Sequence, residues 1–224
     1  MNPALKYKDI GRSLKFWLGR TQRPALLVGL LFCRPSTRLA RDEILPAVLD
    51  FHYASEVQTQ FYFAGYRQVE RPGENSILPR ARAEAPSFEF DAEAFNEFVD
   101  LIQLKTKWRY SGGTDLILAD GRYDPARRSG YVDFSSAMSL TLEFVKGESV
   151  YPETGMFFQQ VFTFAREYDG ERPTFELSDA LGKSALKDIV GSLALKFVPG
   201  ETKEGAVRGL QFATRDLRSS KGDS

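Results

Sequence analysis

The sequence is poor in the residues that most often carry chemistry. It holds one cysteine, Cys33, and one histidine, His52. A single thiol excludes an intramolecular disulfide, so an apolar core must hold the fold together. One Cys and one His are also too few for the zinc sites that small domains use to the same end. An excess of charge is missing too: 30 Lys and Arg balance 30 Asp and Glu. That balance argues against broad electrostatic binding to nucleic acid or to an anionic membrane, while allowing a local basic patch. The longest apolar run, Ala25–Cys33, is far short of the roughly 20 residues that span a bilayer. The opening residues, MNPALKYKDIGRSLKF, have neither the apolar run nor the small-residue cleavage site of a signal peptide. The expectation is a cytoplasmic protein with no cofactor and no metal.

What is present suits an α/β fold. The chain has 224 residues, 42% of them hydrophobic, which is enough to bury a sizeable core. It divides into a basic N-terminal helical extension (1–24), an α/β core domain (25–170), and a C-terminal helix with a flexible tail (171–224). Ala4–Arg20 reads as a helix with Leu5, Leu14, Trp17 and Leu18 on one face. Lys6, Lys8, Arg12, Lys15 and Arg20 crowd the rest, opposed only by Asp9. Such a face is either an ordinary solvated surface or a docking arm for an acidic partner.

Ala25–Cys33 reads as a strand buried on both faces, with Pro24 before it and Arg34-Pro35-Ser36 stopping it. A helix follows over Thr37–Phe51, capped by Ser36 or Thr37, with Pro46 marking a kink or a late start. Thr59–Tyr66 is the second strand, expected parallel to the first through a right-handed crossover. Arg67–Ser87 carries three prolines and a glycine and reads as a long loop, the least ordered internal segment. A helix over Asp91–Lys105 begins at an Asp91 cap and is locally acidic, with Glu93, Glu97 and Asp100. Trp108–Tyr110 and Thr114–Ala119 flank Ser111-Gly112-Gly113 as a hairpin. Asp120–Gly130 is a turn-rich loop, and Tyr131–Phe134 and Leu140–Val145 are two further strands. Helices over Pro152–Tyr168 and Ser178–Leu195 complete the reading.

This order of strand, helix, strand, helix, strand pair and helix resembles the thioredoxin-like fold over roughly Ala25 to Tyr168. Cys33-Arg34-Pro35-Ser36 adds to the resemblance, because thioredoxin-like oxidoreductases place Cys-x-x-Cys or Cys-x-x-Ser where the first strand yields to the first helix. The resemblance implies a central mixed sheet flanked by helices, with Cys33 as nucleophile and Ser36 in place of the second thiol. A thiol at a helix N-terminus beside Arg34 and Arg38 would ionise more readily. The chain departs from the family in two ways. It lacks a second thiol, and no proline stands between Pro86 and Pro125 to supply the cis-proline before the third strand.

The same turn offers a second chemistry. Backbone N–H groups at a helix start, with Arg34, Arg38 and Arg41, could hold a phosphate or sulfate. A tyrosine-phosphatase loop would need an arginine where Leu39 stands, and no Gly-rich phosphate loop is present. His52, near a helix end, is the one histidine a catalytic triad could use. Asp115, Asp120 and Asp124 lie close along the chain, with Asp133 and Glu143 beyond them, and leave a carboxylate Mg²⁺ site open. Two functions therefore stand. One is a non-catalytic interaction module of a multi-protein system, meeting a protein partner through the N-terminal helix or the 67–87 loop. The other is a monothiol or anion-handling enzyme centred on Cys33.

Overall fold

A continuous apolar segment can be buried on both faces only if helices cover both sides of its sheet, and that is the arrangement here. The computed structural model describes residues 2–4, 6–55, 57–69, 87–143 and 153–180. β2 (Leu26–Phe32) is buried along its whole length. Successive side chains of a strand point to opposite faces, so its residues feed two separate cores. Leu27 and Leu31 join Phe61, Phe63, Leu116, Leu118 and Phe158 in one. Leu26, Val28, Leu30 and Phe32 join Ile10, Leu14, Phe95, Phe98 and Ile117 in the other.

The mixed sheet has five strands in the order β1–β3–β2–β6–β7. β1 (Asn2–Ala4) pairs parallel with β3 (Thr59–Ala64), and β3 pairs parallel with β2. β6 (Asp115–Asp124) runs antiparallel to β2, and β7 (Ser129–Thr141) antiparallel to β6. α1 (Tyr7–Thr21) and α3 (Ala92–Lys105) bury Leu14 and Phe95 against one face of the sheet. α2 (Val48–Ser55) and α4 (Thr154–Glu167) bury Val48 and Phe158 against the other. A separate two-stranded ladder joins β4 (Tyr66–Val69) to β5 (Ser87–Phe90).

Several elements differ from the sequence reading, each for a local reason. The first 24 residues contribute an edge strand and a packed helix, because Asn2, Pro3 and Ala4 reach the open side of β3. The helix expected over Thr37–Phe51 is broken. Ala40–Ile44 forms a wide π-turn, closed by Leu45 N–H donating to the Ala40 carbonyl at 2.9 Å, and α2 begins afresh at Val48. Pro46 has no N–H to continue the ladder, which accounts for the break. Gly65, at φ +77°, ends β3 and turns the chain into β4, so part of the expected 67–87 loop is strand. Residues 70–86 lie outside the described residues.

The Ser111-Gly112-Gly113 hairpin is not formed. Residues 108–114 run irregularly, and the true hairpin turns at 125–128, inside the segment read as a loop. Its second strand is one long β7, in place of the two short strands expected, with an irregularity in register between Leu118 and Asp120. Asp91 caps α3 as its sequence position requires, accepting from Ala94 N–H at 2.9 Å. Of the last helix, residues up to 180 are described, and they are helical over 173–180.

Two long-range polar ties fasten the C-terminal elements. Arg23 donates from Nη1 to the carbonyls of Ala165 at 2.8 Å and Tyr168 at 2.7 Å, and from Nη2 to that of Arg166 at 3.1 Å. A guanidinium thus covers the carbonyl end of α4, where the helix dipole favours a cation. Arg23→Ala is expected to cost about 2 kcal/mol, the worth of lost charge-assisted bonds to a helix end. A urea midpoint unchanged from wild type would remove that role.

The second tie is Asp120, buried on β6. Its Oδ1 accepts from Thr174 N–H at 2.9 Å, at the start of the 173–180 helix. Arg122 lies 3.3 Å from its Oδ2, and also reaches Asp133 at 3.1 Å and the Glu171 carbonyl at 2.7 Å. Burial raises the Asp120 carboxyl above its ordinary range, against the opposing pull of Thr174 and Arg122.

Candidate functional site

β2 ends at Phe32, and the residues after it hold most of the candidates. Cys33 is fully buried in the core shared with α2 and α4. Four residues separate it from the first helical residue, Arg38, so the thiol does not sit at a helix N-terminus. The Tyr66 hydroxyl donates to the Cys33 carbonyl at 2.8 Å, and the thiol lies 4.0 Å from the same hydroxyl oxygen. Burial pushes the thiol up to about 12, the Tyr66 contact lowers it, and the charge of Glu143 adds to the rise. Burial likewise raises the Tyr66 phenol. Such a thiol behaves as a small apolar core residue.

An alkaline signature follows. Unfolded, the thiol titrates near 9.0, and folded near 12. Between those values the unfolded chain gives up a proton that the folded chain keeps. Stability is therefore complete below about pH 9 and declines as pH rises towards 12, by about 1.4 kcal/mol per pH unit for this group. Urea midpoints from about pH 8 to about pH 10.5 are expected to fall, and Cys33→Ala to remove the part of the fall that begins near pH 9, while the buried phenols of Tyr62 and Tyr66 keep the part above about pH 10. A wild-type midpoint constant over that range would contradict a buried thiol.

The three arginines of the turn separate. Arg34 turns to α3: its guanidinium lies 4.9 Å from the centre of the Phe95 ring, and Nη2 donates to Asn96 Oδ1 at 2.7 Å. Arg38 and Arg41 both meet Asp42, at 3.7 Å and 2.8 Å. The turn therefore carries its own carboxylate beside two of the cations an anion would use. Ser36 is exposed on that turn, and Thr37 bonds back to the Arg34 carbonyl at 3.0 Å. His52 is exposed on α2, its ring 5.6 Å from that of Tyr53.

Sequence reasoning missed the polar lattice that closes this end of the sheet. The Thr114 hydroxyl lies 3.4 Å from that of Thr37, and Thr114 N–H donates to both carboxylate oxygens of Glu143 at 2.9 Å. Thr114 directly precedes β6. Asp115, buried, accepts from Ser111 N–H at 2.9 Å, from the Ser111 hydroxyl at 2.5 Å and from Thr141 at 3.1 Å. Tyr110 donates to the Gly113 carbonyl at 2.7 Å, and burial lifts its phenol to about 12. The acids read as potential Mg²⁺ ligands are thus spread over three places: Asp115 and Glu143 in this lattice, Asp120 and Asp133 in the Arg122 tie, and Asp124 at the β6–β7 turn beside Arg127. Among the described residues, no three His, Cys, Asp or Glu side chains gather as a metal site.

A small apolar crevice lies between Pro3, Leu45, Val48, Phe63, Tyr66 and Phe88. The chemically distinctive surface lies elsewhere, on α1. Ile10, Leu14 and Leu18 face the core, and the opposite side exposes Lys8, Arg12, Lys15, Phe16, Gly19 and Arg20. Phe16 is 58% exposed in the midst of these cations. Among the described residues, no helix is long and apolar enough to cross a membrane. Comparison with protein families, with curated proteins and with solved structures gives no match.

Proposed function

We propose that this chain is a non-catalytic interaction module of thioredoxin-like topology that docks an acidic protein surface on the outward face of α1. The topological part is supported by three parallel strands, β1, β3 and β2, continued by the antiparallel pair β6 and β7, with helices on both faces. The non-catalytic part is supported by the burial of Cys33 and by the engagement of Arg34 with Asn96 and of Arg38 and Arg41 with Asp42. Thiol chemistry needs a thiolate that solvent can reach, and Cys33 offers neither condition.

The observation that carries the binding role is Phe16. A solvated basic face needs no aromatic side chain, whereas a docking face gains from one: aromatic anchors ringed by charge dominate interface energetics. Cations around the ring would steer an acidic partner and fix its register.

A photo-cross-linking residue in place of Phe16 tests this in the cell that makes the protein. Adducts to an acidic segment are expected from position 16 and not from position 53, where exposed Tyr53 stands on the other helical layer. They should vanish when Arg12 and Lys15 are both changed to Glu. Equal labelling from both positions, or none from position 16, overturns the reading.

A further inference from the structure

On the binding-module reading, the chain itself carries a surface that matches α1. α3 buries Phe95, Phe98, Val99 and Ile102, so the opposite side of that helix presents Glu93, Glu97, Asp100 and Leu104, all exposed. Leu104 is 75% exposed. The outward stripe of α1 is Lys8, Arg12, Lys15 and Gly19. From its start the α1 stripe advances by four, three and four residues. Read from its end, the α3 stripe retreats by the same four, three and four. Two helices laid antiparallel would therefore set Lys8 on Leu104, Arg12 on Asp100, Lys15 on Glu97, and Gly19, with Arg20 beside it, on Glu93.

We infer that the acidic surface taken by α1 is α3 of a second copy of this chain, and that the contact is made twice about a two-fold axis. The placement of the helices permits this closure. The ring of Tyr7, the first residue of α1, lies 6.0 Å from that of Phe98 and 5.6 Å from Nζ of Lys105, the last residue of α3. The start of α1 and the end of α3 thus meet at one corner, α1 leaving it and α3 arriving. A two-fold axis bisecting that corner exchanges the stripes and lays each α1 antiparallel on the partner's α3. The same surface patch serves both protomers, so the assembly closes at two. Antiparallel stacking also opposes the helix dipoles favourably.

Gly19 has nothing within 4 Å of the place a Cβ would occupy, so it leaves the α1 stripe low where Glu93 would approach. The pairing covers Phe16 and Leu104, which are otherwise exposed apolar surface. Helices of 15 and 14 residues are about 20 Å long and 10 Å wide, so two such contacts bury on the order of 900 Å² in all. That area belongs to weak, reversible pairs, and its charge content makes the pair sensitive to salt.

Sedimentation velocity of the full chain tests the inference. At about 20 mM salt the protein is expected to pass from monomer to dimer over tens to hundreds of micromolar, and at about 500 mM salt to weaken at least tenfold. Lys8→Glu, Arg12→Glu and Lys15→Glu together should give a monomer, as should Glu93→Lys, Glu97→Lys and Asp100→Lys. An equimolar mixture of the two variants should restore a heterodimer through the swapped charges. A wild type that stays monomeric at low salt overturns the inference, as does a dimer indifferent to either reversal. Should a triple variant fail to fold, the wild-type salt titration decides: a dimer unchanged at about 500 mM salt overturns the claim. A monomeric wild type that still cross-links from position 16 to another acidic protein removes self-association and leaves the binding-module reading standing.

Discussion

Gly65→Ala is expected to cost about 3 kcal/mol of folding stability, through two effects at one position. Gly65 sits at φ +77°, where an L side chain crowds its own carbonyl, which accounts for about 1–2 kcal/mol. A Cβ there would also stand 2.5 Å from Cβ of Phe95, 2.9 Å from its Cα and 3.0 Å from the Asp91 carbonyl oxygen. Two of these three neighbours are backbone, so the start of α3 itself must move, an overpacking cost of about 1–3 kcal/mol. The junction has little freedom to yield. Gly65 N–H donates to the Ala4 carbonyl at 3.0 Å, and its own carbonyl accepts from Asp91 N–H at 2.8 Å. One residue thereby ties β1, β3 and α3 together. Guanidinium unfolding would report the change as a shifted midpoint with an unaltered slope. A loss below about 1 kcal/mol would mean that the turn adapts and the junction is loose.

Phe158→Ala should be costlier still, about 3–5 kcal/mol, the usual range for emptying a buried aromatic site. Phe158 is fully buried on α4, and its ring centre lies 4.6 Å from that of Phe51, 5.6 Å from Phe61 and 5.9 Å from Phe162. These rings come from α2, β3 and α4, so the cavity would open where three elements converge. The site also cannot refill from β2, because Gly29 faces it. A Cβ on Gly29 would stand 2.4 Å from the Phe61 ring, so glycine there is what admits that ring. Phe158→Leu keeps most of the volume and should cost about a third as much. Equal losses for the two variants would show that edge-to-face geometry, and not filled volume, sets the stability here.

The parts of the fold legible in the sequence were those fixed by periodicity and by single strong signals. Nine consecutive apolar residues identify β2 as interior, and the observed parallel pairing with β3 and antiparallel pairing with β6 agree. The acid cap and apolar spacing of α3 located that helix to within a residue. Signals shared by several structures misled. Gly112-Gly113 suits a hairpin, yet the chain uses it as an irregular run held by Tyr110, Ser111 and Asp115. Asp124 and Pro125 lie at the hairpin that does form, where the Asp124 carboxylate accepts from Ala126 N–H at 2.9 Å. β1 was missed because three residues, one of them Pro3, carry no period.

The candidate site was legible only as a list of residue types. The reach of Arg38 to Asp42 was implicit in their i, i+4 spacing, whereas Arg41 meets the same carboxylate as its immediate chain neighbour. The partners of Arg34, Thr114 and Asp120 were not, since Asn96, Glu143 and Thr174 lie between 29 and 62 residues away along the chain. Only the fold brings such pairs together. The basic face of α1 was visible from the start. The spacing that puts Trp17 with Leu14 and Leu18 already turns Phe16 away from that face, but the extent of its exposure, 58%, required the structure.

The claim at the centre is that this chain binds, and that Cys33 serves packing. The rate of Cys33 alkylation by iodoacetamide in the native protein tests it most directly, measured against the same chain in denaturant at about pH 7. A thiol held near 12 presents roughly a thousandth of the thiolate of a free cysteine, and burial hinders the reagent further. The native rate is therefore expected to be at least about a thousandfold below the denatured rate, and to match the rate of global unfolding where that is slower. Native alkylation as fast as in denaturant, persisting well below neutral pH, would make Cys33 an exposed, activated nucleophile and contradict the account.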